Sequence, residues 1–151
     1  MASLIRRFSS ITIPLPEKAI LYRLGGRAGI PGMSENYSAT YEKYARSAFG
    51  ACRIAGRFRI IGIAAVGENG VELENGDVIP GKKFAASVAN CTKIWCAATT
   101  VGKMLVEERD KQISAAAQAV FDAVGSECAD AAMDFLQNEA GAELRRYNLA
   151  V

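Results

Sequence analysis

The chain has 151 residues, of which 50% are hydrophobic and 23% are charged, a balance typical of one globular domain. Lys and Arg outnumber Asp and Glu by only 18 to 16, so no overall positive field favours nucleic acid, and no apolar run is long enough to predict a membrane span. The sequence contains no histidine, which removes the commonest general base, Ser/His and Cys/His nucleophiles and most catalytic zinc sites.

Residues 1–14 predict a short tail, either disordered or strand-forming, because they lack the apolar segment of about seven or more residues that a secretory signal needs. Their arginines and serines without acidic residues only superficially fit an organellar transit peptide. Residues 15–151 are expected to form one domain. The cysteines have no disulfide-scaffold spacing, which favours reduced thiols and a cytoplasmic location. They are Cys52, Cys91, Cys96 and Cys128.

Two helices are predicted first. Pro16 is placed to begin a short helix that Gly25 and Gly26 end. Ser34 is placed to cap a second helix. The apolar residues of this second helix recur at spacings of three and four: Tyr37, Tyr41, Tyr44, Ala45, Ala48, Phe49 and Cys52.

The middle of the chain has strand character. Three strands are predicted in "RFRIIGIAAV", "VEL" and "VIP", and because "GENG" and "ENGD" are turns they indicate an antiparallel meander. A short helix in "GKKFAASVAN" follows, and then an interior or near-interior strand from Cys91 to Ala98. The next segment, "KMLVEERDKQ", predicts a helix with Lys103 and Glu107 as an i,i+4 pair.

A long Ala-rich helix from about Gln112 to Glu139 completes the predicted order. Its apolar stripe is Ile113, Ala117, Val120, Val124, Cys128, Ala131 and Phe135. We expect Val120, Val124 and Cys128 to face the sheet. The order of elements predicts an α+β fold, in which an antiparallel sheet packs against helices.

The segment "AATTVG" is the candidate ligand site. Small residues that leave a strand and reach a glycine before a helix bring backbone N–H groups close to a ligand. The candidate residues are Ala97, Ala98, Thr99, Thr100 and Gly102. The alternative is that Gly102 only makes the turn. Cys91 and Cys96 are expected to be packing residues, because residues five apart in a strand point to opposite faces and cannot share one metal.

One long stretch reads "GVELENGDVIPGKKFAASVANCTKIWCAATTVGKMLVEERDKQISAAAQAVFDAVGSECADAAMDFL". It resembles the vitamin B12-dependent methionine synthase activation domain and its small stand-alone relatives. The shared pattern is a short strand with a Gly turn, a strand and helix, the "AATTVG" strand end, and an Ala-rich long helix. The upstream "KAILYRLGGRAG" resembles the leading segment of the stand-alone relatives, so the resemblance covers roughly residues 15 to 138.

The resemblance implies a domain that binds S-adenosylmethionine and presents it to a cobalamin held by another protein. Reductive methylation of cob(II)alamin then restores methylcobalamin. The implied partner is a cobalamin-binding protein or a methionine synthase-like subunit. This role fits a chain without histidine, because the corrinoid and the methyl donor carry the chemistry while the protein binds and orients them.

The sequence departs from the family after the long helix. The family has an Arg, three residues and then a Gly-Tyr pair, whereas Arg145, Arg146 and Tyr147 in "LRRYNLAV" do not reproduce that spacing. Either the chain is cut before that segment or the ordinary donor site is absent, and we expect S-adenosylmethionine to bind weakly or not at all. The alternatives are a non-catalytic interaction subunit, which docks on a corrinoid protein or forms a homo-oligomer, and an unrelated small-ligand binder.

Overall fold

The computed structural model describes residues 4–25 and 35–146, with the side chains of 4–25 and 41–146. The predicted cap Ser34 and the side chain of Tyr37 lie outside these residues. The described chain divides into two compact units, and each is described by itself. We call them the sheet unit (residues 4–7, 57–98 and 138–146) and the helix unit (residues 8–25, 35–56 and 99–137).

The described residues form five strands and five helices, so the predicted α+β fold is confirmed. In chain order they are β1 (Leu4–Phe8), α1 (Glu17–Arg23), α2 (Glu35–Ala51), β2 (Ala55–Gly67), β3 (Gly70–Leu73), β4 (Val78–Pro80), α3 (Lys82–Ser87), β5 (Lys93–Thr100), α4 (Lys103–Asp110) and α5 (Ala115–Arg146). β1 confirms the strand-forming alternative for the tail. Within the described part of the chain, no helix has both the length and the apolar character needed to cross a membrane.

The five strands form one sheet in which β1, β2, β3 and β4 are neighbours in that order and β5 pairs with β2. The predicted antiparallel meander is confirmed, because Val71 of β3 lies opposite Val66 of β2 on one side and Ile79 of β4 on the other. A register shift between Ile63 and Ala65 interrupts the pairing of β2 with β3. Such irregularities bend a strand and increase its twist.

The core of the sheet unit lies between the meander and α3, which packs on β3. Its buried residues are Ile61, Val71, Leu73, Ala85 and Ile94. Burying each of the larger side chains stabilises the fold by about 1.5–3 kcal/mol relative to exposure. This core covers the part of the sheet that β2, β3 and the start of β5 form.

The core of the helix unit is built by α1, α2, α4 and the first part of α5. Its largest fully buried side chains are Ile20, Phe121, Val124, Cys128 and Leu136. The predicted burial of Val120, Val124 and Cys128 is confirmed. The Cys128 thiol contacts Cys52, directly after α2. At the next residue of the long helix, the Ala129 carbonyl accepts from Thr99 of β5, so this part of α5 lies against both a helix end and a strand of the sheet.

Two predictions at the ends of elements are wrong. β5 begins at Lys93, and Cys91 precedes it because its N–H donates to the Val88 carbonyl in a turn. The strand is also less interior than predicted, since Ile94 is its one buried residue. Ile113 is fully exposed and lies before α5, where the Gln118 side chain donates to the Gln112 carbonyl and closes the turn between α4 and α5. The predicted Lys103–Glu107 pair is present, with a distance of 3.2 Å.

Candidate functional site

Gly102 connects β5 to α4 in the helix unit. It has a φ of +83°, and a Cβ built on it would lie 2.9 Å from the Arg53 Cβ and 3.2 Å from the Arg53 carbonyl oxygen. The Arg53 N–H donates to the Val101 carbonyl at 2.7 Å, which holds the two segments together. Both the backbone angle and the close approach therefore require glycine, so the turn alone accounts for Gly102.

The two predicted threonines use their hydroxyl groups within the fold. Thr99 Oγ1 donates to the Ala129 carbonyl of α5 at 3.4 Å. Thr100 Oγ1 accepts the Gly102 N–H at 3.1 Å. α4 begins after Gly102 without a side-chain cap. At Thr99 to Gly102, a ligand could therefore contact backbone groups, because both hydroxyl groups are used within the fold.

Ala97 and Ala98 lie in the sheet unit, on the wall of an open cavity of about 340 Å³. We call it the arginine cavity. Its lining residues come from β1, β2 and β5: Ile5, Arg7, Arg57, Phe58, Arg59, Cys96, Ala97 and Ala98. The structure thus brings two of the five predicted site residues to a concave surface.

Strand alternation explains why Arg57 and Arg59 lie together in this cavity. They are two residues apart on β2, so their side chains leave the same face of the sheet. Phe58 lies between them and is 1% exposed, which fixes the phase of the strand. The pattern Arg-Phe-Arg is thus a buried aromatic residue flanked by two cations on the open face.

β1 separates its two arginines in the same way. The Arg6 guanidinium donates to Glu143, which is 6% exposed and also accepts from Arg146 at 3.1 Å. Arg7 follows Arg6 along the strand and lines the arginine cavity instead. Arg6 and Arg146 therefore satisfy the buried Glu143 carboxylate, and Arg7 carries its charge on the open face of the sheet.

The arginine cavity is positively charged. No acidic side chain lines it, and neither Arg7 nor Arg57 has an ion pair or a hydrogen bond to a side chain within residues 4–25 and 41–146. Guanidinium groups stay protonated at all physiological pH values and bind carboxylates and phosphates through paired N–H groups. The cavity is therefore suited to an anion.

Trp95 is the single tryptophan of the chain and precedes Cys96 of the cavity wall. Its indole N–H is buried and has no hydrogen-bond partner in the part of the chain that the structure describes. Because Trp95 lies on the same strand as Cys96 and Ala97, it supplies a fluorescent reporter for changes in β5.

A second cavity, of about 390 Å³, lies in the helix unit. Its lining is Ser9, Ser10, Ile11, Thr12, Ile13, Phe49, Gly50, Cys52, Arg53 and Ile54. The Arg53 guanidinium donates to the Gly50 carbonyl at 2.9 Å and the Cys52 carbonyl at 2.8 Å, near the end of α2. Because its charge already satisfies helix carbonyls, this cavity is less suited to anions than the arginine cavity.

Two thiols meet in the core of the helix unit. The hydrogen bond from Cys128 lowers the pKa of the Cys52 thiol, as does the nearby Arg53 charge, although burial acts in the opposite direction. The same hydrogen bond, together with burial, raises the pKa of the Cys128 thiol. All four cysteines of the chain are free, and Cys91 and Cys96 are exposed. Among the described residues, no three His, Cys, Asp or Glu side chains are placed to hold a metal ion.

Sequence reasoning did not find Arg7, Arg57 and Arg59. The available signal was the alternation of Arg with apolar residues in "RFR", which places cations on one strand face, but no local pattern connects β1 with β2. Comparison with known proteins adds no further assignment. No protein-family description matches the chain, and no curated protein matches it.

Proposed function

We propose that this chain is the component of a cobalamin-dependent methyl transfer system that binds S-adenosylmethionine and presents it to a corrinoid held by a partner. The resemblance to the methionine synthase activation domain supports this function. The structural observation that carries it is the position of Ala97 and Ala98 on the wall of the arginine cavity.

The cavity supplies the two features that such a donor site needs. Alanine side chains leave the β5 backbone accessible, so an adenosyl group can approach the strand closely. The guanidinium groups of Arg7 and Arg57 offer an anchor for the carboxylate of the donor. The volume of about 340 Å³ is at the small end of the range for ligand cavities.

Charge explains why binding to the chain alone is expected to be weak. S-adenosylmethionine carries one carboxylate, but its sulfonium and ammonium groups are both positive and are repelled by the guanidinium groups. A partner that covers the open cavity would exclude water and strengthen the remaining contacts. The methyl transfer itself belongs to the corrinoid and the donor, and the role of this chain is to bind and orient.

Calorimetric titration of the full chain with S-adenosylmethionine tests the donor role. We expect saturable binding with a Kd on the order of 1 mM, which corresponds to about −4 kcal/mol. Arg57→Gln should weaken it, whereas Arg145→Gln, an exposed arginine outside the cavity, should not. Micromolar binding by the chain alone would show an intact donor site and contradict the charge argument. No binding at all would reject the donor role.

The interaction subunit is the second candidate, and the open face of the sheet favours it. Ile5 is 51% exposed beside Arg7 and Arg57, a combination of apolar and cationic groups that suits a protein interface. Co-purification with cobalamin-loaded methionine synthase that lacks its own activation domain is the test. Loss of the complex in Ile5→Asp, with S-adenosylmethionine binding undetectable in the parent chain, would select this function over the first.

A further inference from the structure

We propose that the arginine cavity is a binding site for the dianionic phosphate group of a small molecule. The inference rests on the charge and placement of Arg7, Arg57 and Arg59 and not on the proposed function. If the proposed function is correct, such a ligand competes with S-adenosylmethionine for the same cavity, and this consequence alone rests on the proposed function.

The pairing of arginines elsewhere in the chain sets this cavity apart. Most other described arginines satisfy a carboxylate: Arg6, Arg23, Arg46, Arg109 and Arg146. Arg53 instead donates to carbonyl groups at the end of α2. Arg7 and Arg57 have no such partner within residues 4–25 and 41–146, although both lie on an ordered strand. Cations held together without a counter-charge repel one another, and a bound anion removes that repulsion.

The placement of the three guanidinium groups favours phosphate over a single carboxylate. Arg7 approaches from β1, while Arg57 and Arg59 leave β2 two residues apart, so the donors come from two neighbouring strands. A phosphate group presents three acceptor oxygens and a charge near −2, which the guanidinium groups of Arg7 and Arg57 together match. A carboxylate presents two oxygens and one charge, and it leaves more of the positive charge uncompensated.

The remaining lining accommodates the organic part of the ligand. Ile5, Ala97 and Ala98 form apolar surface beside the cations, and the cavity volume of about 340 Å³ exceeds what a phosphate ion alone occupies. The ligand class is therefore a phosphate ester with a small apolar or aromatic group.

Titration with inorganic pyrophosphate, followed by Trp95 fluorescence and by calorimetry on the full chain, tests this site. We expect saturable binding of one pyrophosphate per chain, and weaker binding of acetate. Arg57→Gln and Arg7→Gln should each weaken pyrophosphate binding about tenfold, the loss of one charge-assisted contact. Arg145→Gln removes the same charge outside the cavity and should leave affinity unchanged. Affinity should also fall as salt rises from about 0.05 M to about 0.5 M, because the Debye length shortens.

The proposal is wrong if pyrophosphate does not saturate, if acetate binds as tightly, or if Arg145→Gln weakens binding as much as Arg57→Gln. Circular dichroism of each variant separates lost binding from lost folding. The outcome for the donor is distinguishable: S-adenosylmethionine binding without saturable pyrophosphate binding rejects the phosphate site and leaves the proposed function standing. Pyrophosphate binding without any S-adenosylmethionine binding supports the phosphate site and rejects the donor role.

Discussion

Replacement of Gly102 by alanine is predicted to destabilise the fold through two separate terms. Its φ of +83° with a ψ of +158° lies in a region essentially restricted to glycine, and it costs a residue with a Cβ about 1–3 kcal/mol. The added Cβ would also lie 2.9 Å from the Arg53 Cβ, and overpacking of this kind costs about 1–3 kcal/mol. The sum, about 2–6 kcal/mol, is a large part of the total stability of a typical domain, about 5–15 kcal/mol.

Two further glycines separate these terms. Gly76 has a φ of +88° with no atom within 4 Å of its built Cβ, so Gly76→Ala should show the backbone term alone, about 1–2 kcal/mol. Gly50 lies within α2, where φ is ordinary and the Cβ also meets open space, so Gly50→Ala should stabilise the helix by up to about 1 kcal/mol. Urea unfolding of the three variants, followed by far-ultraviolet circular dichroism, measures each free energy of unfolding.

The order of the three free energies of unfolding tests whether the backbone angle and the contact with Arg53 both require glycine at position 102. If Gly102→Ala costs no more than Gly76→Ala, the contact with Arg53 relaxes freely and the close-approach argument is refuted. If Gly102→Ala, like Gly50→Ala, causes no loss of stability, the argument from the positive φ at Gly102 is refuted as well. Only in the second case would the turn no longer account for the glycine and leave a role in a ligand site to explain it.

Two other predictions concern the core of the helix unit. Val124→Asp places a carboxylate at a residue that is 0% exposed, so it should lower the free energy of unfolding by several kcal/mol, on the order expected for a buried charge, and abolish cooperative unfolding. The control Val106→Asp, at a residue 45% exposed, should change the free energy of unfolding by less than about 0.5 kcal/mol. Equal thermal melting of the two variants would refute the burial of this face of α5. The thiol pair predicts a maximum in stability near the ordinary thiol pKa of about 8.5. Below this pH the folded chain releases the Cys52 proton before the unfolded chain does, so the free energy of unfolding rises with pH. Above this pH the unfolded chain releases both thiol protons while folded Cys128 keeps its proton, so the free energy of unfolding falls. Cys52→Ala should remove the rising arm, and a rising arm that persists in this variant would assign it to another group.

The elements predicted best are those with strong local patterns. The turn residues between β2, β3 and β4 define the meander, because Gly and Asn at hairpin positions restrict the chain independently of its surroundings. The apolar stripe of α5 likewise predicts the burial of Val120, Val124 and Cys128. What the stripe does not specify is its partner, since a buried thiol packs equally well on a helix or a sheet. The contact of Cys128 with Cys52 is set by tertiary structure.

The ends of elements were predicted less well for a related reason. The sequence "NCTKIW" predicts a strand that begins at Cys91. In the structure the Cys91 N–H donates to the Val88 carbonyl in a turn, so β5 begins at Lys93. At the start of α5, Ile113 fits the helical spacing by sequence, yet it lies in the turn that Gln118 closes. In both places one local hydrogen bond overrides the periodic pattern.

The candidate site was predicted in part because its two halves depend on different kinds of information. The small residues of "AATTVG" are contiguous, so the sequence identifies them, whereas Arg7 and Arg57 are distant in the chain and meet only when β1 pairs with β2. The division between the units also falls within the candidate segment, between Ala98 and Thr99. The two halves therefore respond to different variants: substitutions at Gly102 report on the stability of the helix unit, and substitutions at Arg57 report on ligand binding in the sheet unit. A Gly102 variant that lowers stability while the folded protein keeps its pyrophosphate affinity would assign the glycine to the fold and the arginines to the ligand.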